Sequence, residues 1–236
     1  YEVRDHTCRE IHDDVVVAEI ESEDPIGWVS ELQTRTKAYY RDDLPRFLGG
    51  LVGYFGYETV HLIEERVGGP GQKLDPIDCP DILLLHSDEV IVYDNLAGKL
   101  YFVVFANPQE PDSYERGQKR LAELFSALRE PVPETVEVKR DLEVPHEETP
   151  EEVFTESVLR AKQYIHEGDI MQVVLSQRMS VPFQSPPLSL YRALRALNPS
   201  PYMFYFNLRD FHIVGASPEI LVRLEKGMVT LRPIAG

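Results

Sequence analysis

The short turn signals along this chain constrain its fold more than any other feature. Asp94-Asn95-Leu96-Ala97-Gly98-Lys99 separates two runs of strand composition, 90–93 and 100–105, and Arg209-Asp210 separates 202–208 from 211–214. Connections this short join antiparallel neighbours, whereas a parallel pair needs a crossover of a dozen residues or more. Val15-Val16-Val17-Ala18-Glu19-Ile20 and Ile82-Leu83-Leu84-Leu85 add further strands, and 228–232 predicts a final one. Helical patterning is interleaved with these runs. Asp24 reads as a cap with Pro25 in the first turn, and Trp28, Leu32 and Thr36 continue one face toward Tyr40. Residues 112–129 carry Leu121, Leu124 and Leu128 on one face. Thr149-Pro150-Glu151-Glu152 reads as a capping box, followed by a stripe of Phe154, Val158, Ala161 and Ile165 and a stop at Gly168. Residues 170–181 predict a long strand, 188–197 a helix, and Ser217-Pro218-Glu219 the start of a short helix. The mixture predicts an α+β fold, antiparallel sheets flanked by helices, rather than a doubly wound sheet.

The chain has 236 residues, 43% of them hydrophobic, which is enough to bury a core. A stretch rich in Pro, Glu and Val, from Glu130 to Glu148, lacks helical periodicity. It predicts an N-terminal region over 1–133, a linker over 134–148 and a second region over 149–236. The formal net charge of -16 repels phosphate backbones and anionic lipid, so neither a nucleic acid nor a membrane is expected as partner. No apolar run approaches the roughly 18 residues of a membrane span, and no signal-peptide pattern opens the chain. The two cysteines, Cys8 and Cys79, form no Cys-x-x-Cys pair and read as free thiols of a cytoplasmic protein.

Several motifs invite chemistry and lose to simpler readings. Gly49-Gly50-Leu51-Val52-Gly53-Tyr54-Phe55-Gly56-Tyr57 matches neither a P-loop nor a dinucleotide fingerprint, and close backbone packing explains its glycines. The seven histidines include none at metal-ligand spacing from another His or a Cys, so no metal site is expected within the chain. Ser217 lacks the glycine elbow of a nucleophilic serine. Alternation along the expected strand places Ile170, Gln172 and Val174 on one face, and a buried Gln172 amide needs a hydrogen-bond partner.

Four blocks stand in order in the last third of the chain. They are Gly168-Asp169-Ile170-Met171-Gln172-Val173-Val174-Leu175-Ser176-Gln177-Arg178, Asn198-Pro199-Ser200-Pro201-Tyr202-Met203-Phe204-Tyr205-Phe206, Gly215-Ala216-Ser217-Pro218-Glu219 and Arg232-Pro233-Ile234-Ala235-Gly236. In order and spacing they resemble the chorismate-utilising enzymes, and in detail the anthranilate synthase component I family. The resemblance implies amination of chorismate by ammonia to give anthranilate and pyruvate. It implies magnesium as Lewis acid, a glutamine amidotransferase subunit as the source of ammonia, and tryptophan as feedback inhibitor.

Site residues follow from the same resemblance. Pro201, Tyr202 and Met203 correspond to the triplet that contacts tryptophan, for which aromatic and thioether faces suit an indole. Gly236 corresponds to a glycine that contacts chorismate, where backbone must come close to ligand. Gln172 stands where water-adding members carry a Lys base; an amide has no useful pKa near neutrality, so Gln172 favours ammonia as nucleophile. Ala235 stands where aminodeoxychorismate synthases commonly carry a nucleophilic Lys. These two positions speak against the sister reactions, formation of isochorismate and of aminodeoxychorismate. A non-catalytic tryptophan-binding or subunit-interaction module is the alternative of another class. In the family a Leu-Leu-Glu-Ser segment precedes these blocks, and a Thr, the magnesium glutamates and an acidic histidine follow the Gly236 position. The chain is therefore expected to be truncated at both ends, to be inert alone, and to expose the edge of its 228–232 strand.

Overall fold

The computed structural model describes residues 1–35, 37–64, 66–67, 77–132 and 144–232. The chain divides into two compact units, Tyr1–Val132 and Pro133–Gly236.

The first unit begins with three short strands, β1 (Glu2–Arg4), β2 (Thr7–His12) and β3 (Val15–Glu21), joined by tight turns. Asp13 and Asp14 have φ of 45° and 68°, so both centres of the second turn are left-handed, the geometry whose twist matches flanking strands. Helix α1 (Pro25–Arg35) follows, then β4 (Gly50–Phe55), a 3-10 helix over Tyr57–Leu62 and β5 (Ile82–Ser87). The strands form one antiparallel sheet in the order β3-β2-β1-β5-β4. The expected cap is present, with the Gly27 N–H donating to Asp24 Oδ1 at 2.8 Å. Val3, Cys8, Ile82 and Leu84 rise from one face of the sheet and meet Trp28, Val29 and Leu32 of α1 in the core. The Tyr1 ring meets Trp28 edge-on at 6.0 Å. Thr36, expected on the same helical face, lies outside the described residues.

A hairpin of β6 (Glu89–Asp94) and β7 (Lys99–Val104) completes this unit together with α2 (Ser113–Ala127). Asp94 Oδ1 accepts the N–H groups of Leu96 and Ala97, both at 2.9 Å, which closes the turn. Phe125 of α2 meets Phe102 of β7 edge-on at 5.9 Å, and Arg120 grips both oxygens of Glu89 at 2.7 and 3.0 Å.

The second unit contains β8 (His146–Glu147), α3 (Glu151–Glu167), β9 (Met179–Ser180) and α4 (Pro187–Leu197). Two hairpins follow, β10 (Tyr202–Leu208) with β11 (Phe211–Ser217) and β12 (Val222–Glu225) with β13 (Met228–Leu231). Gly168 takes φ 86° at the end of α3, the left-handed cap expected there.

Three expectations need correction here. The long strand over 170–181 is only β9, because β9 pairs with β8 alone and a strand exists only where its backbone groups find a partner. The capping box at Thr149 does not form; α3 starts one residue later, with Pro150 at the cap, and no side chain bonds the cap. Ser217-Pro218-Glu219 starts no helix, since the ladder pairing Tyr202 with Ser217 draws Ser217 into β11. Within the span expected as linker, His146–Glu147 form β8, and 134–143 lie outside the described residues.

Candidate functional site

The β10–β11 hairpin brings the second and third sequence blocks together. Its register pairs Tyr202 with Ser217, Met203 with Ala216, Phe204 with Gly215 and Tyr205 with Val214. Alternation then separates two faces. Met203 and Tyr205 share the face toward α4, where Tyr191 meets Tyr205 edge-on at 6.1 Å. Tyr202, Phe204 and Phe206 share the other, with Phe204 and Phe206 stacked at 5.6 Å. Gly215 lies beneath the Phe204 ring: a Cβ there would sit 2.2 Å from Phe204 Cζ.

Polar side chains gather where β10 begins and β11 ends. Ser200 Oγ donates to the Ser217 carbonyl, and Ser217 Oγ donates to the Glu219 carbonyl at 3.0 Å. The β12–β13 hairpin adds two arginines. Arg223 Nη2 donates to the Tyr202 hydroxyl at 3.2 Å, and Arg232 Nη1 donates to Glu219 Oε1 at 3.1 Å. Arg232 is the last described residue, directly before the segment that carries Gly236. Charge-assisted bonds thus tie that segment's entry to the end of the aromatic hairpin.

The site residues expected from the sequence fare differently. Pro201 is exposed just before β10, Tyr202 is exposed on one face, and Met203 is half-buried on the opposite face. The triplet is contiguous, with the Tyr202 and Met203 side chains on opposite faces of β10. Gln172 is exposed and lies in backbone outside any strand. Pro233, Ile234, Ala235 and Gly236 lie outside the described residues. Sequence reasoning assigned Glu219 to a helix start and gave Ser200 and Arg223 no role. The alternating Val-Arg-Leu-Glu of 222–225 held the signal of a two-faced strand. Among the described residues no group of three or more His, Cys, Asp or Glu side chains is placed to hold a metal ion. Among them, too, no helix is long and apolar enough to cross a membrane.

The chorismate binding enzymes, as a family, match residues 4–236. The chain belongs to the chorismate binding enzyme family. It is 48% identical over 241 residues to anthranilate synthase component 1 of Pseudomonas aeruginosa, which covers 99% of this chain and 48% of that protein. To the protein of the same name from Neisseria meningitidis serogroup B it is 50% identical over 217 residues, 90% of this chain and 44% of that one. The crystal structure of anthranilate synthase component I from Streptococcus pneumoniae matches with a TM-score of 0.75 at 28% identity, covering 97% of this chain and 52% of that one. The chain spans about half the length of the curated relatives it matches. The family resemblance read from the four blocks holds, as does the α+β class with antiparallel sheets.

Proposed function

We propose that this chain is part of an anthranilate synthase component I, which converts chorismate and ammonia to anthranilate, pyruvate and water. Ammonia forms a C–N bond to the ring, the ring hydroxyl departs as water, and loss of the enolpyruvyl group as pyruvate leaves the aromatic product. The observation that carries this reading is 48% identity to an anthranilate synthase component 1 along almost the whole chain. Gln172 supports it, because an amide leaves no base for water addition. Ala235 supports it too, because it offers no nucleophile toward the ring.

In this reading Gly236 contacts chorismate, and Pro201, Tyr202 and Met203 line the site for the inhibitor tryptophan. Residues 149–236 form the start of the chorismate-binding region. A glutamine amidotransferase subunit delivers ammonia, in the cytoplasm. Magnesium ligands belong to the part of the relatives that this chain does not span, and the chain alone makes no anthranilate.

The test is a chimaera in which this chain replaces its matched segment in the Pseudomonas aeruginosa relative. Incubated with chorismate, magnesium and ammonium, it should release anthranilate and pyruvate, identified by fluorescence and mass, and tryptophan should suppress both. Aminodeoxychorismate or isochorismate as product would overturn the roles given to Ala235 or Gln172.

A further inference from the structure

The β12–β13 ribbon is held to the aromatic hairpin at two points, one from each of its strands. From β12, Arg223 Nη2 donates to the Tyr202 hydroxyl at 3.2 Å. Just past β13, Arg232 Nη1 donates to Glu219 Oε1 at 3.1 Å. Between these points the ribbon is one continuous ladder. Lys226 and Gly227, with φ of 50° and 77°, close it in a tight turn, and pairing runs from Glu225–Met228 through Arg223–Thr230 to Val222–Leu231. The Arg232 N–H extends the ladder by donating to the Leu221 carbonyl at 3.2 Å. A shift imposed on Arg223 therefore reaches Arg232, which directly precedes the segment carrying Gly236.

We propose that Arg223 is the positioning residue that couples the tryptophan site to the chorismate contact, a step that rests on the roles proposed above for Tyr202 and Gly236. Tyr202 is 40% exposed, so a ligand reaches its ring while Arg223 holds its hydroxyl. At 3.2 Å that bond stands at the long end of the N–H···O range, and a small swing of the ring breaks it. With the bond made, the ribbon is held in place for chorismate. An indole packed on the Tyr202 ring displaces the hydroxyl, frees Arg223 and lets the entry to the Gly236 segment shift. The Arg232–Glu219 pair, with charge on both partners, is the stronger tie and serves as the pivot. Coupling between two sites requires a contact that differs between two states, and the Arg223–Tyr202 bond supplies it.

The test uses the chimaera and reads coupling rather than activity alone. The chorismate KM is measured with and without saturating tryptophan, and their ratio is the coupling factor. Arg223→Ala should raise KM in the absence of tryptophan, as in the inhibited state, and cut the factor by at least about fivefold. Tyr202→Phe removes the acceptor and should do the same, and the double variant should lose no more than either single one. Arg223→Lys keeps a cationic donor and should retain more of the factor than Arg223→Ala. Leu96→Asp, at the fully exposed tip of the β6–β7 turn, should keep all of it. Calorimetry gives the reciprocal measurement, tryptophan titrated with magnesium but no ammonium, with and without chorismate. The ratio of the two tryptophan affinities should shrink in Arg223→Ala by the same factor. A merely structural arginine would instead weaken tryptophan equally in both titrations, and that result, or a full coupling factor in Arg223→Ala, would overturn the proposal while leaving the reaction intact. An unsubstituted chimaera that makes anthranilate but does not respond to tryptophan would overturn the effector reading itself, and this inference with it.

Discussion

Gly53 and Gly215 both sit under a neighbour too close for a side chain, and the kind of neighbour decides the cost of adding one. A Cβ on Gly53 would lie 1.9 Å from the backbone oxygen of Leu83, on the strand paired with its own. That oxygen moves only if the sheet moves. At Gly215 the obstacle is the tip of the Phe204 ring, whose residue is 36% exposed and has room to swing. Overpacking costs about 1–3 kcal/mol. Gly53→Ala should reach the upper end of that range in urea unfolding and Gly215→Ala the lower; the reverse order would contradict these contacts. Tyr54 supplies a prediction in pH. Burial first, and the negative charge of the nearby Cys79 thiolate second, push its phenol up to about 12, and the hydroxyl donates to the Pro80 carbonyl at 2.9 Å. The folded state therefore holds the proton more tightly than the unfolded chain. The associated stability is whole below the ordinary tyrosine value of about 10 and is lost as pH rises from there through the folded value. Tyr54→Phe should flatten this alkaline loss and remove a phenolate absorbance step near the upper limit. An unchanged titration curve would show that the step belongs to another tyrosine.

Helix α1 is the element on which the first unit's core depends. Leu32 is 5% exposed against the sheet, so Leu32→Ala should cost about 2–5 kcal/mol in equilibrium unfolding. Asp24→Ala removes only the cap and should cost about 0.5–2 kcal/mol, with helix loss visible by circular dichroism. An effect of Asp24→Ala as large as that of Leu32→Ala would mean that capping, not packing, holds the helix. What the sequence made legible at this scale was local. The Asp24 cap, the Gly168 stop and the turns at Asp94–Lys99 and Arg209-Asp210 depend on residues a few positions apart. The stretch 170–178 was misread as strand because its apolar run satisfies composition, while strand formation depends on a distant partner that only β9 has. The same limit hid the polar cluster, since Arg223 and Tyr202 are 21 residues apart in sequence and meet only once two hairpins have formed. Gln172 and the triplet at Pro201 were singled out through their blocks rather than through any physical signature of their own.

The two units differ in how far they are finished. The first closes a helix over a five-stranded sheet, whereas the second leaves aliphatic strand faces in water and buries Leu208 alone among its described apolar side chains. The contrast fits a chain that spans about half of each relative. The most direct measurement follows anthranilate fluorescence with chorismate, magnesium and ammonium in three samples: this chain, the unmatched remainder of the Pseudomonas aeruginosa relative, and the two mixed. Fluorescence should stay at background in the first two and rise in the third, with pyruvate released in equal amount. Anthranilate from this chain alone, or a different aminated product from the mixture, would contradict the account.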